Sequence, residues 1–135
     1  MAVRNDITPK KMANIRERFR YSPGVQAGNL LYIAGQVGRD GSLNVVRDKE
    51  AQFVQAFENV AAVLEEAGAS FDNVVDMVTY HTDMRDLELF IAIKDRYIKN
   101  LDSLPAWTGI GTTALAMPGL FVEIKCTAYL DPGTS

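Results

Sequence analysis

A single cysteine and a single histidine in 135 residues remove several chemistries at the outset. Cys126 alone cannot form an internal disulfide, which suits a reducing compartment, and no zinc spacing of paired Cys and His occurs. No apolar run approaches the roughly 20 residues of a membrane-spanning helix. The first residues lack the apolar segment of a secretory signal. A cytoplasmic protein with no membrane contact is the expectation. Nucleophile elbow, phosphate-cradling Gly loop, internal repeat and low-complexity tract are all missing, so neither a metal nor a cofactor is expected. The net charge of −3 gives nothing global to attract nucleic acid.

The residues present are those of an ordinary soluble domain, 47% apolar and 23% charged, long enough to bury its own core. Charge is uneven, however. Residues 1–20 hold six basic side chains (Arg4, Lys10, Lys11, Arg16, Arg18, Arg20) against Asp6 and Glu17. Without interleaved aromatics this reads as a solvated basic arm rather than a nucleic-acid grip, and the two acids interrupt it as an organelle-targeting segment. Met12, Ile15 and Phe19 have helical spacing within it. The division expected is a basic arm over 1–20, one α+β domain over 21–131, and a tail over 132–135.

Val25 to Gly28 and Leu30 to Val37 read as strands, the second apolar on both sides and therefore central. Gly38-Arg39-Asp40-Gly41 marks a turn. Phe53, Phe57, Val60, Leu64 and Ala67 form a helical stripe from about Lys49, with Asp48 as cap and Gly68 as terminator. Val74 to Thr82 is rich in β-branched residues and reads as a strand. A second helix over about 86–99, capped by Asp83 or Asp86, is expected to bury Leu87, Phe90, Ile91 and Tyr97 or Ile98. Two more strands, from Pro105 and from Leu120, close the chain as a hairpin, with Pro118-Gly119 suited to a type II turn. The order is β-β-α-β-α-β-β, with two helices covering one face of a single sheet.

The last strand alternates. Leu120, Val122, Ile124, Cys126, Ala128 and Leu130 make a core face, whereas Phe121, Glu123, Lys125, Thr127 and Tyr129 point the other way. A carboxylate and an ammonium in mid-strand are out of place in a plain sheet interior. The face left uncovered by helices, on which Phe121, Tyr129 and Trp107 are expected, is too apolar to stay wet. Self-association is the simplest cover for it.

Several pieces in succession resemble the Rid (YjgF-type, reactive-intermediate deaminase) family: Tyr21-Ser22-Pro23-Gly24-Val25-Gln26-Ala27-Gly28, Leu31-Tyr32-Ile33-Ala34-Gly35-Gln36-Val37, Glu65-Glu66-Ala67-Gly68-Ala69-Ser70, Val74-Val75, Thr79-Tyr80, Pro105-Ala106 and Val122-Glu123-Ile124. The resemblance covers roughly residues 20–130. It implies a chorismate-mutase-like α+β protomer, a homotrimer with a central barrel, and small-molecule pockets at the subunit interfaces. It also implies hydrolysis of enamines and imines with release of ammonia. In the family an Arg two residues after the Pro of the Pro-Ala pair clamps the substrate carboxylate, and a Glu on the last strand positions or activates water. Glu123 falls at the Glu position and Trp107 at the Arg position. A family Tyr aligns with Gly24, and a family Ser with Ala34.

That departure changes the expected substrate. A guanidinium is a charged two-pronged clamp; an indole offers one N–H and a flat face. Loss of a charge-assisted bond worth about 1.5–3 kcal/mol weakens a carboxylate ligand about ten- to a hundred-fold. Poor activity on 2-aminoacrylate is therefore expected. Glu123 is the candidate catalytic residue, its alternative an ion pair with Lys125 at a subunit contact. Trp107 is either a pocket wall or an interface anchor. Thr108, Gly35, Gln36 and Tyr21 complete the expected substrate-binding set. His81, without a second His or an accessible Cys beside it, reads as structural. Two functions follow: a small-molecule hydrolase or deaminase of altered specificity, or a non-catalytic ligand-binding or regulatory trimer. The family's older label, endoribonuclease, fits an acidic chain with one His least well.

Overall fold

Residues 4–132 are described in the computed structural model. Six strands form one sheet: β1 (Arg4–Ile7), β2 (Gly24–Ala27), β3 (Leu30–Val37), β4 (Val74–His81), β5 (Ala106–Gly111) and β6 (Val122–Tyr129). The helices are α1 (Ala13–Phe19), α2 (Lys49–Glu66) and α3 (Leu87–Tyr97). No helix among the described residues is long and apolar enough to cross a membrane.

The strand order is β1-β2-β3-β6-β4-β5, and only β4 and β5 run parallel. The expected closing hairpin does not form, because β4 lies between β5 and β6. Parallel pairing of β4 with β5 needs a crossover, and α3 supplies it. Met117-Pro118-Gly119-Leu120 is nonetheless a turn. The Leu120 N–H donates to the Met117 carbonyl at 3.4 Å, and Gly119 takes φ 88°, a conformation that costs glycine nothing. That turn sits inside the long return from β5 to β6.

The expected leading arm is part of the fold. Arg4–Ile7 pairs antiparallel with β2 as the outermost strand, and Met12 and Ile15 enter the same core as α2 and α3. The helix expected from Met12, Ile15 and Phe19 is α1 itself. Residues 133–135 of the expected tail, and residues 1–3 of the arm, lie outside the described residues.

The core sits between the helices and one face of the sheet. Asp48 caps α2 by accepting from the Ala51 N–H at 3.0 Å, and Gly68 ends it at φ 75°. Phe53, Phe57, Val60 and Leu64 are buried as the stripe requires, each large side chain contributing about 1.5–3 kcal/mol. In α3 the buried pair is Phe90 and Ile93; Ile91, expected inside, is only partly covered. On β6 the even-numbered residues from Val122 to Ala128 are buried and Glu123, Lys125, Thr127 and Tyr129 face away.

Candidate functional site

Among the described residues no helix covers the outer face of the sheet, and register assigns its residues. Glu123 lies beside Tyr80, which pairs with Ile110; Lys125 lies beside Val78, which pairs with Thr108. On the other flank Tyr32 pairs with Thr127, and Leu30 with Tyr129. Leu30, Tyr32, Ile110 and Tyr129 are exposed large side chains on this face, Tyr32 and Tyr129 at 45% each.

Glu123 is half-buried although no helix covers it. The cause is local to β3. Its register against β6 shifts between Ile33 and Gln36, and Gly35 stands in that irregularity. A β-carbon at position 35 would overlap the Glu123 carboxylate, so glycine lets the acid lie down on the neighbouring strand. Burial raises the proton affinity of Glu123, opposed by the charges of Lys125 and Arg39. A carboxyl so perturbed is suited to taking up and returning a proton.

Arg39, read from sequence only as part of a turn, arrives from the end of β3. Val37 pairs with Glu123 on the outer face, and a β-carbon at position 38 would point into Gln52 on the core side. The chain bends at Gly38, the Arg39 N–H turning back to the Val37 carbonyl at 2.8 Å, and the Arg39 charge acts on Glu123. Asn59 of α2 fixes the backbone there, donating to the carbonyls of Val37 at 2.9 Å and Arg39 at 3.0 Å. The Arg39 Nη2 donates to the Tyr21 hydroxyl at 2.8 Å, and the guanidinium lies 5.3 Å from the Phe19 ring centroid. Nη1 meets the Met117 Sδ at 3.9 Å. Tyr21, Gly35, Arg39, Lys125 and Glu123 therefore form one group.

Trp107 is on the opposite face. It pairs with Met77, whose side chain is in the core, and its ring packs 5.9 Å from that of Phe90 in α3. The Lys94 ammonium lies 5.2 Å from its ring. Its N–H donates to the Thr79 hydroxyl at 2.9 Å, which lies 2.7 Å from the His81 Nε2. The expectation that Trp107 and Phe121 belong to the uncovered face is thus corrected, since both pack against the helix-side core. Parallel pairing with β4 sets the parity of β5, and Lys49 of α2 covers Phe121, its ammonium 4.7 Å from the ring.

The remaining candidates divide between the faces. Thr108 is exposed on the Glu123 face, while Gln36 is buried towards the helices opposite Ile124, its amide donating to the Ala34 carbonyl at 3.1 Å. His81 is 1% exposed, edge-on to Phe90, and burial lowers its proton affinity against the pull of Asp86. Cys126 is buried and its thiol is pushed up to about 12. No three of His, Cys, Asp and Glu converge among the described residues. A groove of about 1010 Å³ lies between β1 and α1 with charges of both signs. Of the expected site residues, Tyr21 alone lines it.

Comparison with known proteins gives concordant matches. The endoribonuclease L-PSP family model matches residues 12–130. RutC family protein YjgH of Escherichia coli (strain K12) is 33% identical over 131 residues, 96% of this chain and 98% of the relative. The 2-iminobutanoate/2-iminopropanoate deaminase of Mus musculus is 35% identical over 114 residues, 83% of this chain and 82% of the enzyme. The solved structure of protein YJGH superposes with a TM-score of 0.87 at 32% identity, covering 96% of this chain and 98% of the other.

Proposed function

The chain belongs to the Rid (YjgF-type) family, and from that premise we propose that it hydrolyses a small imine or enamine in a cleft between protomers of a homotrimer. The observation that carries this reading is Glu123, a half-buried carboxyl of raised proton affinity on a sheet face that no helix covers. Water adds to the C=N carbon while Glu123 takes its proton. Glu123 returns that proton to nitrogen, giving a carbinolamine; it then takes the hydroxyl proton as the C=O bond forms and passes it to the nitrogen, which leaves as ammonia. Nothing in these steps calls for a metal or cofactor. The mouse relative, a 2-iminobutanoate/2-iminopropanoate deaminase, supports the same chemistry.

The opposed faces support placing the cleft between protomers. Glu123 and Trp107 lie on opposite sides of one sheet, so a ligand touching both needs two chains. The exposed Leu30, Tyr32, Ile110 and Tyr129 give a second copy something to bury. With Trp107 where the family has its carboxylate-clamping Arg, 2-aminoacrylate is expected to be a poor substrate.

The test is ammonia release from a panel of imines generated in situ from amino acids, run with the native protein and with Glu123→Gln. Turnover of at least one imine, lost by about 10²–10⁴-fold in the variant, is the expected result. Turnover unchanged by Glu123→Gln would remove Glu123 from the chemistry. A non-catalytic ligand-binding trimer is the second reading, favoured by the Trp107 N–H being engaged within its own chain. It is distinguished by native protein that binds ligands without turnover and keeps that binding in Glu123→Gln. For RNA cleavage there is no comparable support: the one histidine is buried and the chain is acidic.

A further inference from the structure

We infer that Arg39 is the anion-binding group of the Glu123 site, so that the ligand carries a carboxylate held from the Tyr21 side of the cleft and not from β5. This rests on the reading of the Glu123 face as the ligand site and names what that site selects.

The geometry of Arg39 is that of a clamp without its anion. A guanidinium has five N–H donors in a rigid fork. One donates to the Tyr21 hydroxyl at 2.8 Å and another meets only the weak acceptor Met117 Sδ at 3.9 Å. One side of the fork is occupied by the Phe19 ring at 5.3 Å. All three partners are neutral, and among the described residues no ion pair includes Arg39. A partly buried cation held by a phenol, a ring and a thioether is oriented but not neutralised. An arriving carboxylate would provide the charge-assisted, two-pronged bond that these partners do not.

Two further features suit it to this face. Asn59 fixes the carbonyl of Arg39 from within the core, so the side chain starts from a rigid point rather than a loose loop. Lys125, on the same face, adds a second positive charge. A carboxylate bound here approaches Glu123 from the end of β3, whereas Trp107 stands on the far edge strand.

The test uses 2-oxo acids from pyruvate to phenylpyruvate, each beside its neutral amide, with dissociation constants from calorimetric titration of the assembled protein. Native protein should bind at least one acid at least about ten-fold more tightly than its amide. Arg39→Gln should weaken that acid by about ten- to a hundred-fold and leave the amide unchanged. Arg39→Lys, which keeps charge but not the fork, should fall between them. Tyr21→Phe, which frees the guanidinium, should lose a few-fold. Arg39→Lys and Tyr21→Phe keep the test decisive if Arg39→Gln does not fold. An acid preference that survives all three variants overturns the role of Arg39 while the ligand site stands. Equal binding of acid and amide by the native protein overturns the carboxylate. Failure of the native protein to bind any probe removes the ligand site itself, and the inference with it.

Discussion

Glu123 and His81 are perturbed by the same cause, burial, yet they should bend the stability curve in opposite directions. The folded-state pKa of Glu123 is raised above its ordinary 4.5. Its stabilising share is therefore complete below that value and lost as pH rises through the folded pKa. Glu123→Gln removes that loss, so melting temperatures should rise at pH 8 and not at pH 4. A variant less stable at pH 8 would mean that Glu123 works as an ion-pair partner of Lys125. For His81 the folded pKa lies below the ordinary 6.5. Its share is present above 6.5 and lost as pH falls through the folded pKa. Burial outweighs Asp86 here, and the neighbouring Lys49–Asp86 pair at 2.9 Å absorbs much of that carboxylate's field. His81→Asn should cost stability at pH 8 by leaving the Thr79 hydroxyl without its buried partner, and the deficit should narrow by pH 5. A deficit that stays constant from pH 5 to pH 8 would show that the imidazole does not titrate in the folded protein.

At the scale of elements, α2 carries a function its stripe conceals. Gln52 and Asn59 are 0% and 6% exposed within an otherwise apolar face. The Gln52 amide donates to the carbonyls of Val46 at 3.0 Å and Gly119 at 2.8 Å, and its oxygen accepts from the Phe121 N–H at 2.6 Å. One side chain thus pins both long loops to the helix that also anchors Arg39. Gln52→Leu would leave buried backbone groups unpaired, and a loss of about 2–4 kcal/mol is expected in urea unfolding. A loss under about 1 kcal/mol would mean that water replaces the amide. Periodicity made α2, α3 and the β6 faces legible, because a stripe or an alternation is local. It left Gln52 and Asn59 unmarked, since a polar residue in a stripe looks like an interruption until its partners are known. It also left β5 on the wrong face. Period two says which residues travel together, but a strand's neighbours decide which side is in, and β5 turned out to pair with β4. Arg4–Ile7, polar but for Ile7, has the composition of an edge strand and no apolar alternation to reveal it. Arg39 was hidden for the same kind of reason: its turn was visible, and the bend that brings its charge towards Glu123 was not.

For the whole molecule, the proposed division of the site between faces turns oligomeric state into a question about catalysis. Sedimentation equilibrium should give three times the 14.9 kDa chain mass, and Tyr32→Glu, which charges an exposed ring on the uncovered face, should return the protein to single chains. A folded single chain retaining full turnover would refute a shared cleft. A sharper test uses two defective variants together. If Glu123 comes from one protomer and Trp107 from its neighbour, Glu123→Gln and Trp107→Ala, each inactive alone, should complement after unfolding and refolding as a mixture. At equal ratio and random assembly about a quarter of clefts would then draw both intact residues from different chains. Glu123→Gln mixed with Arg39→Gln serves as the counterpart, because both residues stand on one face of one chain and every mixed cleft inherits one defect. Complementation in the first mixture and none in the second would establish both the two-chain cleft and the grouping of Arg39 with Glu123. Recovery in both would separate Arg39 from the Glu123 half-site, and recovery in neither would put Trp107 outside the cleft altogether, as a residue that holds β5 against α3.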